Sequence, residues 1–120
     1  MPSKNPAQRL SDIVNNIDAI AAFTAELDFE AFRTDRRTVY AVVRALEIIS
    51  EASRRLPHEL LHRHPDIDWA AVAAAGNIYR HEYDAVDETL IWRTVQHDLA
   101  AVRNVCNEEL RRMQSDLPEG

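Results

Sequence analysis

Residues that interrupt a helix are scarce in this chain, and their positions draw its map. Prolines stand only at 2, 6, 57, 65 and 118 and glycines only at 76 and 120. A proline inside a helix costs a hydrogen bond and clashes with the preceding turn, and glycine adds conformational entropy to the unfolded chain. The long stretches between these positions are free to be helical. From Leu10 the apolar residues recur as Leu10, Ile13, Val14, Ile17, Ile20, Ala21 and Leu27, the three-and-four spacing of one helix side, which predicts a first helix over 8–27. The segment 27–32 breaks that register. Thr34 or Asp35 can then cap a second long helix carrying Val39, Val42, Val43, Leu46, Ile49 and Leu56, which Pro57 ends.

Residues 58–64 make a short helical turn closed by Pro65. Asp66 or Asp68 caps a third helix that begins at Trp69 and runs to about Tyr83. Asp87 opens the last helix, whose buried side reads Ile91, Val95, Leu99, Val102, Cys106, Leu110 and Met113, with a frayed tail at Pro118. No segment reads as a strand. Each apolar stripe can be buried only against the others, so the expected architecture is an all-α, up-and-down bundle of four to five helices in one domain over 8–115. At 120 residues and 13.7 kDa the chain has room for one core.

Composition removes several function classes. No apolar run approaches the roughly 20 residues of a membrane helix, and the N-terminus lacks the hydrophobic stretch of a secretory signal, so a cytoplasmic protein is expected. Cys106 is the single cysteine, too few for an internal disulfide or a cysteine zinc site. It falls on the buried stripe of the last helix and reads as a small inert hydrophobe. Fourteen basic against 20 acidic residues give a net charge of −6, which excludes general nucleic-acid coating but leaves room for local patches at Arg36-Arg37, Arg54-Arg55 and Arg111-Arg112.

The third helix concentrates the chemistry. At about 100° per residue from Trp69, Arg80, Asp84, Asn77 and His81 fall together between roughly 20° and 120°, with Tyr83 on the border of that stripe. An imidazole, a guanidinium, an amide and a carboxylate within two turns can perform acid/base work on a phosphate. The plain alternative is a solvated helix face.

Local sequence separates the two. Gly76-Asn77-Ile78-Tyr79-Arg80-His81-Glu82-Tyr83-Asp84, followed by Ile91-Trp92-Arg93-Thr94-Val95 and Asp98-Leu99, resembles the HepT-like branch of the HEPN domains. In that branch a helix ends in Arg-Asn, three residues, His, one residue, Tyr, then an Asp. Ile67-Asp68-Trp69 before the motif, and Arg37-Thr38 with Leu46-Glu47-Ile48-Ile49-Ser50-Glu51-Ala52 upstream, match the same family, so the resemblance spans about residues 10–105.

The resemblance implies a helical bundle pairing as a homodimer with a cleft at the interface, and a metal-independent endoribonuclease acting as the toxin of a toxin–antitoxin module, either type II or neutralised by modification. His81 would move a proton as the RNA 2′-oxygen attacks the adjacent phosphate, and Asn77 would orient the reacting groups. The implied partner is a minimal nucleotidyltransferase antitoxin that binds the toxin, transfers AMP to Tyr83, or both. No cofactor is implied. Asp84 would support the site; Glu51, read from its place in the second helix, either faces the cleft and positions Arg80 or is a surface glutamate. One departure stands out: the family's catalytic arginine belongs at Ala74, Ala75 or Gly76, with four to six residues between it and the histidine, and none of these is arginine. Arg80, on the stripe of His81, is the replacement cation.

Two other readings compete. Without the upstream arginine the bundle would be a non-catalytic subunit that binds a nucleotide or its partner. His58-Glu59-Leu60-Leu61-His62 matches the zinc-hydrolase pattern His-Glu-x-x-His, with His64, His81 or Glu82 as an imaginable third ligand. Confinement between Pro57 and Pro65 favours a short solvated helix instead. Trp69 and Trp92 read as core or interface anchors, and His97 beside Asp98 as surface.

Overall fold

Side-chain caps and prolines set most of the helix boundaries. The computed structural model describes residues 5–78 and 87–115, with the side chains of 77 and 78 outside that description. Asn5 accepts from the Gln8 N–H ahead of Pro6 and starts α1, Pro6–Thr24. Asp28 accepts from the Ala31 N–H and starts α2, Phe29–Thr34. This short helix occupies the place where the sequence loses its register. Asp35, rather than Thr34, caps α3, Arg36–Arg54, taking the Thr38 N–H on one oxygen and the Thr38 hydroxyl on the other.

Pro57 precedes α4, His58–His62. Asp68, rather than Asp66, accepts from the Ala71 N–H at the start of α5, Trp69–Ile78. The remainder of the expected third helix lies outside the described residues. Asp87 accepts from the Leu90 N–H and opens α6, Glu88–His97, and α7, Leu99–Ser115, follows it. The single last helix expected from the sequence is therefore interrupted at Asp98. Asp98 keeps helical torsions, φ −107° and ψ −30°, and its N–H still bonds the Thr94 carbonyl at 3.0 Å, so the interruption is confined to one residue.

No strand occurs among the described residues, and the all-α architecture holds. Helix α3 is central, packing against α1 on one side and α5 on another, while α7 lies along α1. The core is built from Leu10, Ile13, Ile17 and Ile20 of α1, Val42, Leu46 and Ile49 of α3, and Ile91, Val102 and Cys106 of the last two helices. These are the positions the apolar periodicity selects. Ala21 departs from that list and is exposed, because the buried side of α1 continues through Ile17, Ile20 and Thr24 instead. Trp92 packs in tilted contact against Phe32, with ring centres 5.1 Å apart, and against Phe29 at 6.3 Å, tying α6 to α2. Its reading as a core anchor holds.

Cys106 is fully buried and its thiol is pushed up to about 12, first by burial and then by the nearby Glu109 carboxylate. It is inert at any physiological pH. Beside it the core holds a charged group absent from the expected buried stripe: Glu109, 1% exposed. Its carboxylate accepts from Arg63 at 2.6 and 3.2 Å and from His64 Nε2 at 2.6 Å. The Arg63 guanidinium, then the His64 hydrogen bond, hold the carboxyl below the usual glutamate range against the opposing effect of burial. The Trp69 indole N–H donates to the His64 carbonyl at 3.1 Å. Together these contacts pin the start of α5 to α7.

Candidate active site

The residues singled out for catalysis straddle the end of α5. Arg80, His81, Tyr83 and Asp84 lie outside the described residues, and Asn77 belongs to the last turn of α5. What the structure gives is the frame that holds this helix.

That frame comes from α3. The Ser50 hydroxyl donates to the Val72 carbonyl at 2.9 Å and accepts from the Gly76 N–H at 2.9 Å. Val72 and Gly76 are the i and i+4 partners that an ideal α-helix bonds to each other, so a side chain from α3 is wedged into the ladder of α5. Close approach requires the glycine. A Cβ at position 76 would stand 3.2 Å from Ser50 Oγ and 3.3 Å from the Glu47 Cα. One residue along, Arg54 donates to the Ala73 carbonyl at 2.6 Å. The wedge sits immediately before Asn77.

Removing the hydroxyl in Ser50→Ala is expected to cost about 1 kcal/mol, the net worth of a typical internal hydrogen bond, read as a lower melting temperature. Amide exchange at Gly76 should quicken, because α5 loses an anchor. A variant with unchanged melting and unchanged exchange would show that the wedge is dispensable.

Glu51 accepts from Arg54 and Arg55, each at 3.0 Å, and the Arg55 hydrogen bond, then that from Arg54, lower its carboxyl below the usual range. Its carboxylate thus orients Arg54, which in turn holds α5. This is a support for the motif helix that the sequence does not reveal. His58 and His62 are exposed on α4, a helix of five residues. Among the described residues no group of three His, Cys, Asp or Glu is placed to hold a metal ion. His64, imagined as a zinc ligand, is engaged with Glu109. His97 is exposed and lies with Asp98 on the rim of a groove of about 470 Å³ between α3, α5 and the α6–α7 junction. Leu46, Ile49, Val72, Ala75 and Val102 line it. So apolar a wall does not suit a phosphate.

Comparison with known proteins identifies the frame. The family described as Ribonuclease HepT-like matches residues 13–109. The chain belongs to the HepT-like family. It is 40% identical over 103 residues to a "Probable ribonuclease HepT" of Thermococcus cleftensis, covering 86% of this chain and 93% of that one. It is 29% identical over 119 residues to a candidate RNase of Methanocaldococcus jannaschii, covering 99% of each, and 29% identical over 109 residues to a candidate RNase of Caldanaerobacter subterraneus, covering 91% and 97%. No solved structure matches the chain. The matched HepT-like region takes in α3, α5 and the segment between α5 and α6 that carries His81, so the motif and its frame belong to one family unit.

Proposed function

We propose that this protein is a metal-independent endoribonuclease, the toxin of a toxin–antitoxin module, with its cleft at the interface of a cytoplasmic homodimer. The observation that carries the reading is the Asn77-x-x-x-His81-x-Tyr83 pattern inside a region matched over 13–109 to a ribonuclease family. His81 takes or gives the proton as the 2′-oxygen of RNA forms its bond to the adjacent phosphorus and the bond from phosphorus to the 5′-oxygen breaks. The nucleophile belongs to the substrate, so the reaction needs no activated metal-bound water. Arg80 stabilises charge on the phosphoryl oxygens, and a dimer would bring a second Arg80 to the cleft. Asn77 orients these groups, with Asp84 and Glu51 in support.

The nucleotidyltransferase antitoxin neutralises the toxin by binding, by transfer of AMP to Tyr83, or by both. An added phosphate beside His81 places negative charge where the RNA phosphate must dock. Incubation with the antitoxin and ATP is expected to add the mass of AMP to the wild type and none to Tyr83→Phe. Equal modification of both proteins would move the acceptor elsewhere.

The test of the activity is purified protein incubated with RNA in excess chelator. Cleavage that persists and leaves 2′,3′-cyclic phosphate and 5′-hydroxyl ends supports the proposal, and intact RNA from a folded dimer overturns it. One observation favours a second reading, a non-catalytic subunit binding a nucleotide or the partner: positions 74–76 hold no arginine, and Gly76 is committed to packing against α3. Intact RNA together with modification of Tyr83 would select that reading.

A further inference from the structure

The N-terminal half of the outer face of α3 reverses the charge of the chain, with one ion pair at its inner end, Arg44 to Glu47 at 3.9 Å. At about 100° per residue, Arg36, Arg37, Tyr40 and Arg44 fall within roughly 100° of arc, on the side opposite Val42, Leu46 and Ile49. All four are exposed, in a chain whose net charge is −6. Tyr40 is 56% exposed, more than any other large hydrophobic among the described residues. Its ring is held: the Arg36 guanidinium lies 5.6 Å from the ring centre and donates to the phenolic oxygen at 2.8 Å. The pair keeps the ring fixed and its outer face open to a stacking partner.

The stripe is aligned with the motif helix. Contacts between α3 and α5 run from Arg54 on Ala73, through Ser50 on Val72 and Gly76, to Glu47 beside Gly76. Numbers fall along α3 as they rise along α5, so the two helices are antiparallel and α5 ends pointing toward the N-terminal half of α3. At about 1.5 Å per residue, Arg44 lies ~4.5 Å and Tyr40 ~10 Å beyond the Glu47 level in that direction.

We infer that Arg36, Arg37, Tyr40 and Arg44 form a track for single-stranded RNA leading toward the C-terminal end of α5, after which the motif follows in sequence. The arginines take backbone phosphates, and a base stacks on the Tyr40 face braced by Arg36. The inference rests on the ribonuclease reading for the identity of the strand. Single-stranded RNA fits better than a duplex because one exposed ring on a convex helix can receive an unpaired base but cannot reach the bases of a paired helix.

The experiment measures binding of a 2′-O-methyl RNA oligonucleotide, whose blocked oxygen separates binding from chemistry, to the full-length protein at several salt concentrations. Arg37→Ala/Tyr40→Ala/Arg44→Ala is expected to bind about 10- to 100-fold more weakly, with a salt slope shallower by about 1.4 for two lost phosphate contacts. Tyr40→Ala alone should lose at least about fivefold with the slope kept, and Tyr40→Phe should restore the affinity. A triple variant of wild-type helicity and melting that binds as the wild type does overturns the track. So does one whose mass by light scattering drops, because the stripe is then a contact between copies. Cleavage of the ribose form is read in parallel. A wild type that binds the blocked strand without cutting the ribose form removes the ribonuclease reading and leaves the track, whereas normal cutting with unchanged triple-variant binding removes the track alone.

Discussion

His81→Ala is expected to lower single-turnover RNA cleavage by about 10²- to 10⁴-fold, the range for removing a positioned general acid or base. The melting temperature should stay near the wild type, since the sequence puts His81 on the polar stripe and a surface substitution changes stability by about 0.5 kcal/mol or less. The comparison that decides the role of Arg80 is made with the same assay. If Arg80 supplies the cation absent from positions 74–76, Arg80→Ala should cost about 10²- to 10³-fold, as loss of one charge-stabilising group does. The double variant should then be little worse than His81→Ala, because groups acting on one transition state are not additive. Restored growth of a host expressing His81→Ala in the absence of antitoxin would accompany the kinetic loss. Full cleavage by His81→Ala would end the assignment.

Much of this arrangement was legible in the sequence because it depends on local signals. Asp35 and Asp87 each precede an apolar-periodic run and each proves to be the cap, while Pro57 and Pro65 bracket a short helix as their chemistry requires. The stripes of α1 and α3 select the core, Ala21 apart. The break at Asp98 left no trace, since the residue keeps helical torsions and no glycine or proline marks it. The frame of the site was also invisible. Ser50 and Gly76 meet across 26 positions of sequence and Arg63 and Glu109 across 46, and no local pattern encodes partners so distant. A signal for Glu109 did exist. It occupies the apolar register of α7 between Cys106 and Met113, and a carboxylate in such a register needs a buried cation from elsewhere. The motif itself, by contrast, was carried by residue identity and spacing, and the structure adds the helix α3 that braces α5 just before it.

The second large effect should come from that buried carboxylate. Arg63→Ala leaves Glu109, 1% exposed, with only His64 to oppose its desolvation. Removing one partner of a buried pair costs about 3–5 kcal/mol, which for a domain of this size lowers the melting temperature by roughly 10 °C or more. Glu109→Ala should cost less, near the lower end of that range, because the Arg63 side chain is 35% exposed and can turn to water. The pH dependence separates the two. In the wild type the Glu109 carboxyl is held below its unfolded value, so its contribution is present above about pH 4.3 and is lost as the pH falls through the lower folded value. In Arg63→Ala the largest cause of that depression is gone, burial raises the carboxyl, and the acid-side loss should shrink or change sign. Chemical denaturation between about pH 3 and pH 7 measures both. A wild-type acid profile in Arg63→Ala would mean that the Arg63 pair contributes nothing to the fold, and that α5 takes its position from Ser50 and Arg54 alone.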